Sequence, residues 1–241
     1  MHRFFVSPDN INNNSVTISG EDVAHLSKVL RLREGENIIV CDSAGTDYEC
    51  RIESISKTEA VASVISSTPN IAEPPINITI YQGLPKSDKM DYIVQKCVEL
   101  GVNKIVPVIT KRAVAIPRDG DKKILRWQRI ASEAAKQCGR GVLPQIGEIA
   151  EFKTIVKNVV LEDNLNIIPY ENEKSFKLKN ALKPVKNINI FIGPEGGFDP
   201  EEIELAMTSG IQPVTLGPRI LRTETAPIAV VSAVMYDIGD W

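Results

Sequence analysis

Two short segments hold the residues best suited to chemistry. The first is Gly193-Pro194-Glu195-Gly196-Gly197-Phe198, entered from Ile192. The second is Leu216-Gly217-Pro218-Arg219-Ile220-Leu221-Arg222-Thr223-Glu224-Thr225-Ala226. Glycine lets a backbone approach a ligand closely or take a positive φ, so Gly193, Gly196 and Gly197 suit a small-molecule cradle. The spacing is neither GxGxxG nor GxxxxGK[ST], which disfavours a Rossmann dinucleotide site and a P-loop. Composition by itself leaves a second reading open, a pair of structural Gly/Pro turns.

Such loops need elements that present them. Each follows an expected strand, Ile188–Ile192 and Gln212–Leu216, and open α/β sheets bind ligands at the C-terminal ends of their strands. From Ile76 onward strands and helices alternate. Ile76–Tyr81, Lys104–Ile109 and Leu165–Pro169 read as further strands. Asp88–Leu100 reads as a helix stopped by Gly101, and Asp121–Gly139 as a long one. Shorter helical stretches lie near 151–158 and 175–182. Pro200–Ser209 opens with Asp199 as cap, Pro200 at the first position and Glu201-Glu202 in the first turn. The pattern predicts an α/β domain with a largely parallel sheet. A last helix, Glu224–Ile238, carries Ile228, Val231, Val234 or Met235, and Ile238 on one stripe. Ala229, Val230 and Ala233 widen it, so this helix wants burial on two sides.

Residues 1–70 follow another rhythm. Ser15–Ile18, Asn37–Val40 and Val61–Val64 alternate as strands, and turn residues separate them. One short helix, Asp22–Arg31, interrupts. Six or so strands in ~70 residues suggest a small β-barrel. Pro74-Pro75 resists both helix and central strand and marks a boundary. The expected domains are therefore 1–72 and 73–241.

The 241 residues are 43% hydrophobic and 24% charged, an ordinary globular composition that excludes a disordered or fibrous chain. No apolar run approaches the ~20 residues of a membrane span, and the N-terminal apolar stretch is too short for a signal peptide. The expectation is a cytoplasmic protein with no membrane partner. Four cysteines without a CxxC pair, and only two histidines, argue against a disulfide framework or any metal site.

Net charge is −3, but it is unevenly spread. Residues 71–150 carry 13 Lys/Arg against 8 Asp/Glu, while both flanking segments are net acidic. Within this basic island Lys122, Arg126, Arg129, Glu133, Lys136 and Arg140 share one helix stripe, opposite Trp127, Ala131, Ala134 and Cys138. The apolar stripe is core. The basic stripe either grips the phosphates of a polyanion or is a solvated face. The 5% aromatic content argues against an extended single-strand stacking platform.

Together the two loops resemble the ribosomal small-subunit methyltransferase E family of the SPOUT superfamily. The resemblance extends along nearly the whole chain, in order: Arg3-Phe4-Phe5-Val6, His25–Gly35, Lys86–Met90 with Gln95–Gly101, and Arg126–Arg140. Ala24 and Ser87 depart from the pattern, where a second histidine and a glycine are common. The resemblance implies a SPOUT-type α/β domain with a C-terminal trefoil knot, preceded by a small PUA-like β-barrel domain. A knot is what general folding rules would not predict.

It also implies methylation of N3 of a uridine in 16S rRNA, with S-adenosylmethionine as cofactor. In that reading Pro169, Gly193, Gly196, Gly197, Leu216, Gly217, Ile220, Leu221 and Arg222 form the cofactor cleft. Uracil N3 must lose its proton, and the ring then carries negative charge. Arg222 would supply a stabilising cation, and Glu195 or Glu224 would accept the proton. An Arg222–Glu224 structural ion pair is the alternative. Lys28, Arg31 and Arg33 on the PUA-like domain, with Lys86, Lys89, Arg126, Arg129 and Arg140, would contact RNA. The partners implied are 16S rRNA within an assembled or assembling small subunit, and a second copy of the chain, dimerised through the knotted domain. Two rivals are a SPOUT enzyme acting on tRNA and an RNA-binding assembly factor without catalysis.

Overall fold

Alternating apolar residues build the N-terminal sheet. In the computed structural model, which describes residues 1–12, 14–114, 119–159 and 164–241, the first compact unit comprises Met1–Glu73 and Ala135–Leu143. Its strands are β1 (Arg3–Phe5), β2 (Ile11–Asn12), β3 (Ser15–Ser19), β4 (Asn37–Cys41), β5 (Thr46–Ile55) and β6 (Glu59–Pro69). They form one sheet in the order β1-β4-β5-β6-β3-β2, antiparallel except for β1 beside β4. Val16 and Ile18 of β3, Ile38 and Val40 of β4 and Ile52 of β5 point inward with Phe4 and Leu26. This is the period-2 pattern that the sequence displays.

The helix expected over Asp22–Arg31 forms differently. A single turn, α1 (Glu21–Ala24), widens into a π-type turn over His25–Val29, and Arg31 takes φ +56°. The Leu30 N–H reaches back to the His25 carbonyl, and this wider turn seats Leu26 in the core with Leu30 and Leu32 packed against it. Residues 135–143 join this unit without any signal in the sequence pattern. Glu73 accepts from the Arg140 guanidinium at 3.0 and 2.6 Å and from the backbone N–H groups of Gly141 and Val142.

The second unit comprises Pro74–Ala134 and Pro144–Trp241. Its elements are β7 (Asn77–Gly83), α2 (Lys89–Glu99), β8 (Lys104–Ile109), α3 (Gly120–Cys138), β9 (Gln145–Ile146), β10 (Ala150–Glu151), α4 (Phe152–Asn158), β11 (Asn164–Pro169), α5 (Leu178–Ala181), β12 (Asn187–Ile192), α6 (Pro200–Thr208), β13 (Gln212–Val214) and α7 (Thr225–Ile238). The last residues of α3 belong to the first unit by this division. Every strand pairing here is parallel, in the order β10-β8-β7-β12-β11-β13, with β9 beside β8. The central strand β12 is apolar on both faces, with Ile188 and Ile190 buried on one and Phe191 on the other, and its neighbour β7 buries Ile78 and Ile80. That is the expected sequence of strands covered by helices on both sides.

Local signals are realised where they are strongest. Asp199 caps α6 in a full capping box, its carboxylate accepting from backbone while Glu202 returns a bond to the Asp199 N–H. Gly101 takes φ +92° just past α2. The stretch expected as helix near 175–182 is helical only over α5, because Phe176 to Leu178 bond to Thr215 in parallel bridge fashion.

Candidate active site

The parallel sheet delivers three loops to one end. They follow the C-terminal ends of β11, β12 and β13, and together they line a cavity of about 520 Å³. Its wall includes Pro169, Tyr170 and Glu171 from the first loop, Gly193–Phe198 from the second, and Thr215–Thr223 from the third. All nine residues expected in a cofactor cleft line it, and Glu195 does too. Its size is that of a typical small-molecule pocket.

The glycines are there for contact. A β-carbon on Gly197 would meet Glu171 Oε1 at 2.8 Å, and Gly197 also holds φ +66°. A β-carbon on Gly193 would meet the Gly197 backbone at 3.2 Å. The second loop is thus folded tightly on itself. Arg112 steadies it from outside, donating to the Gly196 carbonyl at 3.0 Å and lying 3.4 Å from Asp199.

A buried polar link joins the second loop to the third. The Thr223 hydroxyl, 5% exposed, donates to the Gly193 carbonyl at 2.7 Å. It accepts from Gln82 Nε2 at 3.0 Å, and Gln82 lies at the end of β7. This pair was not legible from spacing. The only trace is an amide near the end of an otherwise apolar strand.

The charged groups are arranged otherwise than the loop sequence suggests. Lys89, at the start of α2, lines the cavity and lies 2.9 Å from Glu195 and 3.2 Å from Glu224. The Lys86 backbone N–H also donates to Glu195, at 3.1 Å. Burial pushes the Glu195 carboxyl up, but Lys89 and these backbone donors outweigh it and hold it below the usual carboxylate range. Conversely Glu195, followed by Glu224, holds the Lys89 ammonium above the ordinary lysine range. Glu224 does not line the cavity, and its Oε2 is buried behind Lys89. The Arg222–Glu224 ion pair, the alternative reading, is absent among the described residues. Arg222 is exposed at the cavity and makes no ion pair there.

The residues expected to contact RNA divide. Lys28, Arg31 and Arg33 are exposed on the first unit, and Lys86 is exposed before α2. Arg126 and Arg129 are exposed on α3, where Arg126 chelates Asp91 at 3.0 and 2.5 Å. Arg140 is a correction. It is only 2% exposed, and Glu73 holds its guanidinium. A charge so deeply placed must be paired internally and cannot reach a phosphate. Lys136 of the same stripe is likewise engaged, 2.7 Å from Asp22.

Comparison with known proteins decides the family. Residues 72–235 match the RNA methyltransferase domain family, and residues 18–65 match the RNA methyltransferase PUA domain family. A ribosomal RNA small subunit methyltransferase E of Bacillus subtilis is 35% identical over 91% of this chain and 89% of its own. The chain belongs to the ribosomal RNA small subunit methyltransferase E family. A Synechocystis member is 32% identical over 97% of this chain and 77% of its own. The crystal structure of the Neisseria gonorrhoeae member, bound to S-adenosyl methionine, superposes with a TM-score of 0.92. It is 36% identical and covers 100% of this chain and 99% of its own. The family assignment accounts for the pairing of a PUA-like unit with a parallel α/β unit, as the sequence resemblance implied.

Proposed function

We propose that this chain is an S-adenosylmethionine-dependent methyltransferase acting on N3 of a uridine in the 16S rRNA of the small ribosomal subunit. The observation that carries the reading is the cavity formed by the three loops after β11, β12 and β13, in a chain of this family. Glycines at 193, 196 and 197 leave backbone open to a ligand, and aliphatic Leu216, Ile220 and Leu221 suit the faces of an adenine. A β-carbon at Gly197 would meet the carboxylate end of Glu171, and the φ of +66° there favours glycine. The residues present thus fit the cofactor, with Pro169, Gly217 and Arg222 completing the wall.

S-adenosylmethionine supplies an electrophilic methyl group on a sulfonium. What remains for the protein is to orient the uracil, accept its N3 proton and stabilise the ring's developing negative charge. Arg222 serves the charge, because it is not neutralised by an acid of its own. Glu195, which lines the cavity, is the proton acceptor of this reading, while Glu224 acts from behind Lys89. Lys28, Arg31 and Arg33 with Lys86, Arg126 and Arg129 are the phosphate contacts.

Dimerisation belongs to the same reading. α7 buries Pro227, Val230, Val231, Val234 and Met235 in its own unit. It leaves Ala229 and Tyr236 exposed and Ile228 and Ala233 half-buried, a second apolar face suited to another copy. A C-terminal knot is the arrangement that the family resemblance implies for these loops. The deciding experiment maps 16S rRNA by mass spectrometry from a strain lacking the gene. One uridine should lose its N3 methyl group and regain it when the purified protein is added. If every uridine keeps its methylation, the proposal fails.

A further inference from the structure

The family resemblance places Lys89 among the cations that would contact RNA. The structure sets it apart. It lines the cavity, beside the loop that carries Glu195, at the start of a helix in which Met90, Ile93 and Val94 anchor the first turns in the core. Its ammonium stands between two carboxylates from different loops, Glu195 at 2.9 Å and Glu224 at 3.2 Å. An ammonium has three N–H donors and no acceptor. Both acids hold it by charge, the buried Glu224 Oε2 without a hydrogen bond of its own, and no third acidic partner is found among the described residues.

The carboxylate pairing has a chemical consequence. A Glu195 held below the usual range is a weak proton acceptor. The burden of making N3 nucleophilic then shifts to groups that stabilise the ring anion, whose charge lies on the two carbonyl oxygens as well as on nitrogen. Arg222 is one such group but is long, exposed and unheld, whereas Lys89 is fixed from two sides. Preorganised donors are the ones worth most to a transition state.

We propose that Lys89 is a catalytic residue of this reaction, donating its remaining N–H to a carbonyl oxygen of the acceptor uracil while the N3 proton passes to Glu195, with Glu195 and Glu224 holding the ammonium in place. The assignment rests on the methyltransferase reading above. It differs from the phosphate-contact role that the family resemblance implies, because a group committed to Glu195 in the cavity wall and to the buried Glu224 is poorly placed to follow a backbone.

The test uses the full chain, S-adenosylmethionine and small ribosomal subunits from a strain lacking the gene. Wild type, Lys89→Met, Lys89→Arg and Glu224→Gln are compared in single-turnover methyl transfer at saturating subunit and cofactor, with both affinities measured separately. Lys89→Met should slow the saturated rate by about 100-fold or more while both affinities stay within about threefold. Lys89→Arg should recover at least about tenfold of that loss, and Glu224→Gln should slow the rate by about tenfold without weakening either ligand. A saturated rate for Lys89→Met within about threefold of wild type would overturn the assignment. So would a loss confined to subunit affinity with a salt slope reduced by about one, the mark of a phosphate contact, or a loss confined to cofactor affinity. If wild type itself adds no methyl group to uridine N3, the reaction assignment fails instead, and that result is separable from any outcome among the variants.

Discussion

At Gly197 an added β-carbon would lie 2.8 Å from Glu171 Oε1, on a backbone whose φ of +66° already disfavours an L side chain. Both penalties fall inside the loop that lines the cavity. Gly197→Val should therefore abolish S-adenosylmethionine binding measured by calorimetry, while the protein keeps a cooperative thermal transition. Normal binding by a folded variant would show that this loop is not the cleft. Thr223→Val tests the neighbouring link. It leaves the Gly193 carbonyl and the Gln82 amide buried without their shared partner, at a cost of about 1–3 kcal/mol. Thr223→Ser should restore most of that stability in urea unfolding. That glycines build a tight loop at the cavity was legible from residue type. The Thr223 bonds and the pairing of Lys89 with two carboxylates were not, since each depends on groups far away in the chain, and spacing carries no information about such partners.

Among elements, those with local instructions matched their sequence signals. α6 begins where Asp199, Pro200 and Glu202 prescribe it, while α7 buries Val231, Val234 and Met235 of its expected stripe together with Pro227 and Val230, leaving Ile228 and Ile238 half-buried. The turn after Ser19 did not, because burying Leu26 with Leu30 and Leu32 favours a wider π-type turn over a regular helix. Strand pairing brings a further group together that no pattern announces. β1 and β5 both pair with β4, and Arg3 of β1 donates to Asp47 of β5 at 2.5 and 2.7 Å. Burial raises the Asp47 carboxyl, but Arg3 and Asn70 outweigh it and hold it below the ordinary aspartate range. Its contribution to stability is then fully present above the unfolded value, about 3.9, and is lost as pH falls through the lower folded value. Urea midpoints between about pH 5 and pH 2 should fall steeply for wild type and less so for Asp47→Asn, which starts less stable by about 1–3 kcal/mol. Parallel slopes for the two proteins would rule out Asp47 as a source of the acid sensitivity.

For the whole molecule, the charge pattern named a basic island correctly as composition but could not sort it by use. A helical stripe shows which cations share a face, and says nothing of what that face meets. The sequence spacing puts Arg140 on one stripe with Arg126 and Arg129, yet α3 ends at Cys138, Gly139 turns the chain at φ +81°, and Arg140 is buried against Glu73 while they are exposed. Likewise the alternation of strands and helices announced a parallel α/β unit, but the order β10-β8-β7-β12-β11-β13 depends on long-range pairing that no period encodes. The distinction between held and exposed cations leads to opposite expectations for one substitution type. Arg33→Ala and Lys86→Ala should weaken binding of small ribosomal subunits and lower the slope of log affinity against log salt by about one each, with thermal stability unchanged. Arg140→Ala should leave that slope intact. Its cost should appear in folding, about 3–5 kcal/mol, because the Glu73 carboxylate loses the Arg140 guanidinium while still bonded to the backbone at 141 and 142. An Arg140→Ala protein of normal stability and reduced salt slope would place Arg140 on the RNA after all, and would mean that its pairing with Glu73 opens when RNA binds.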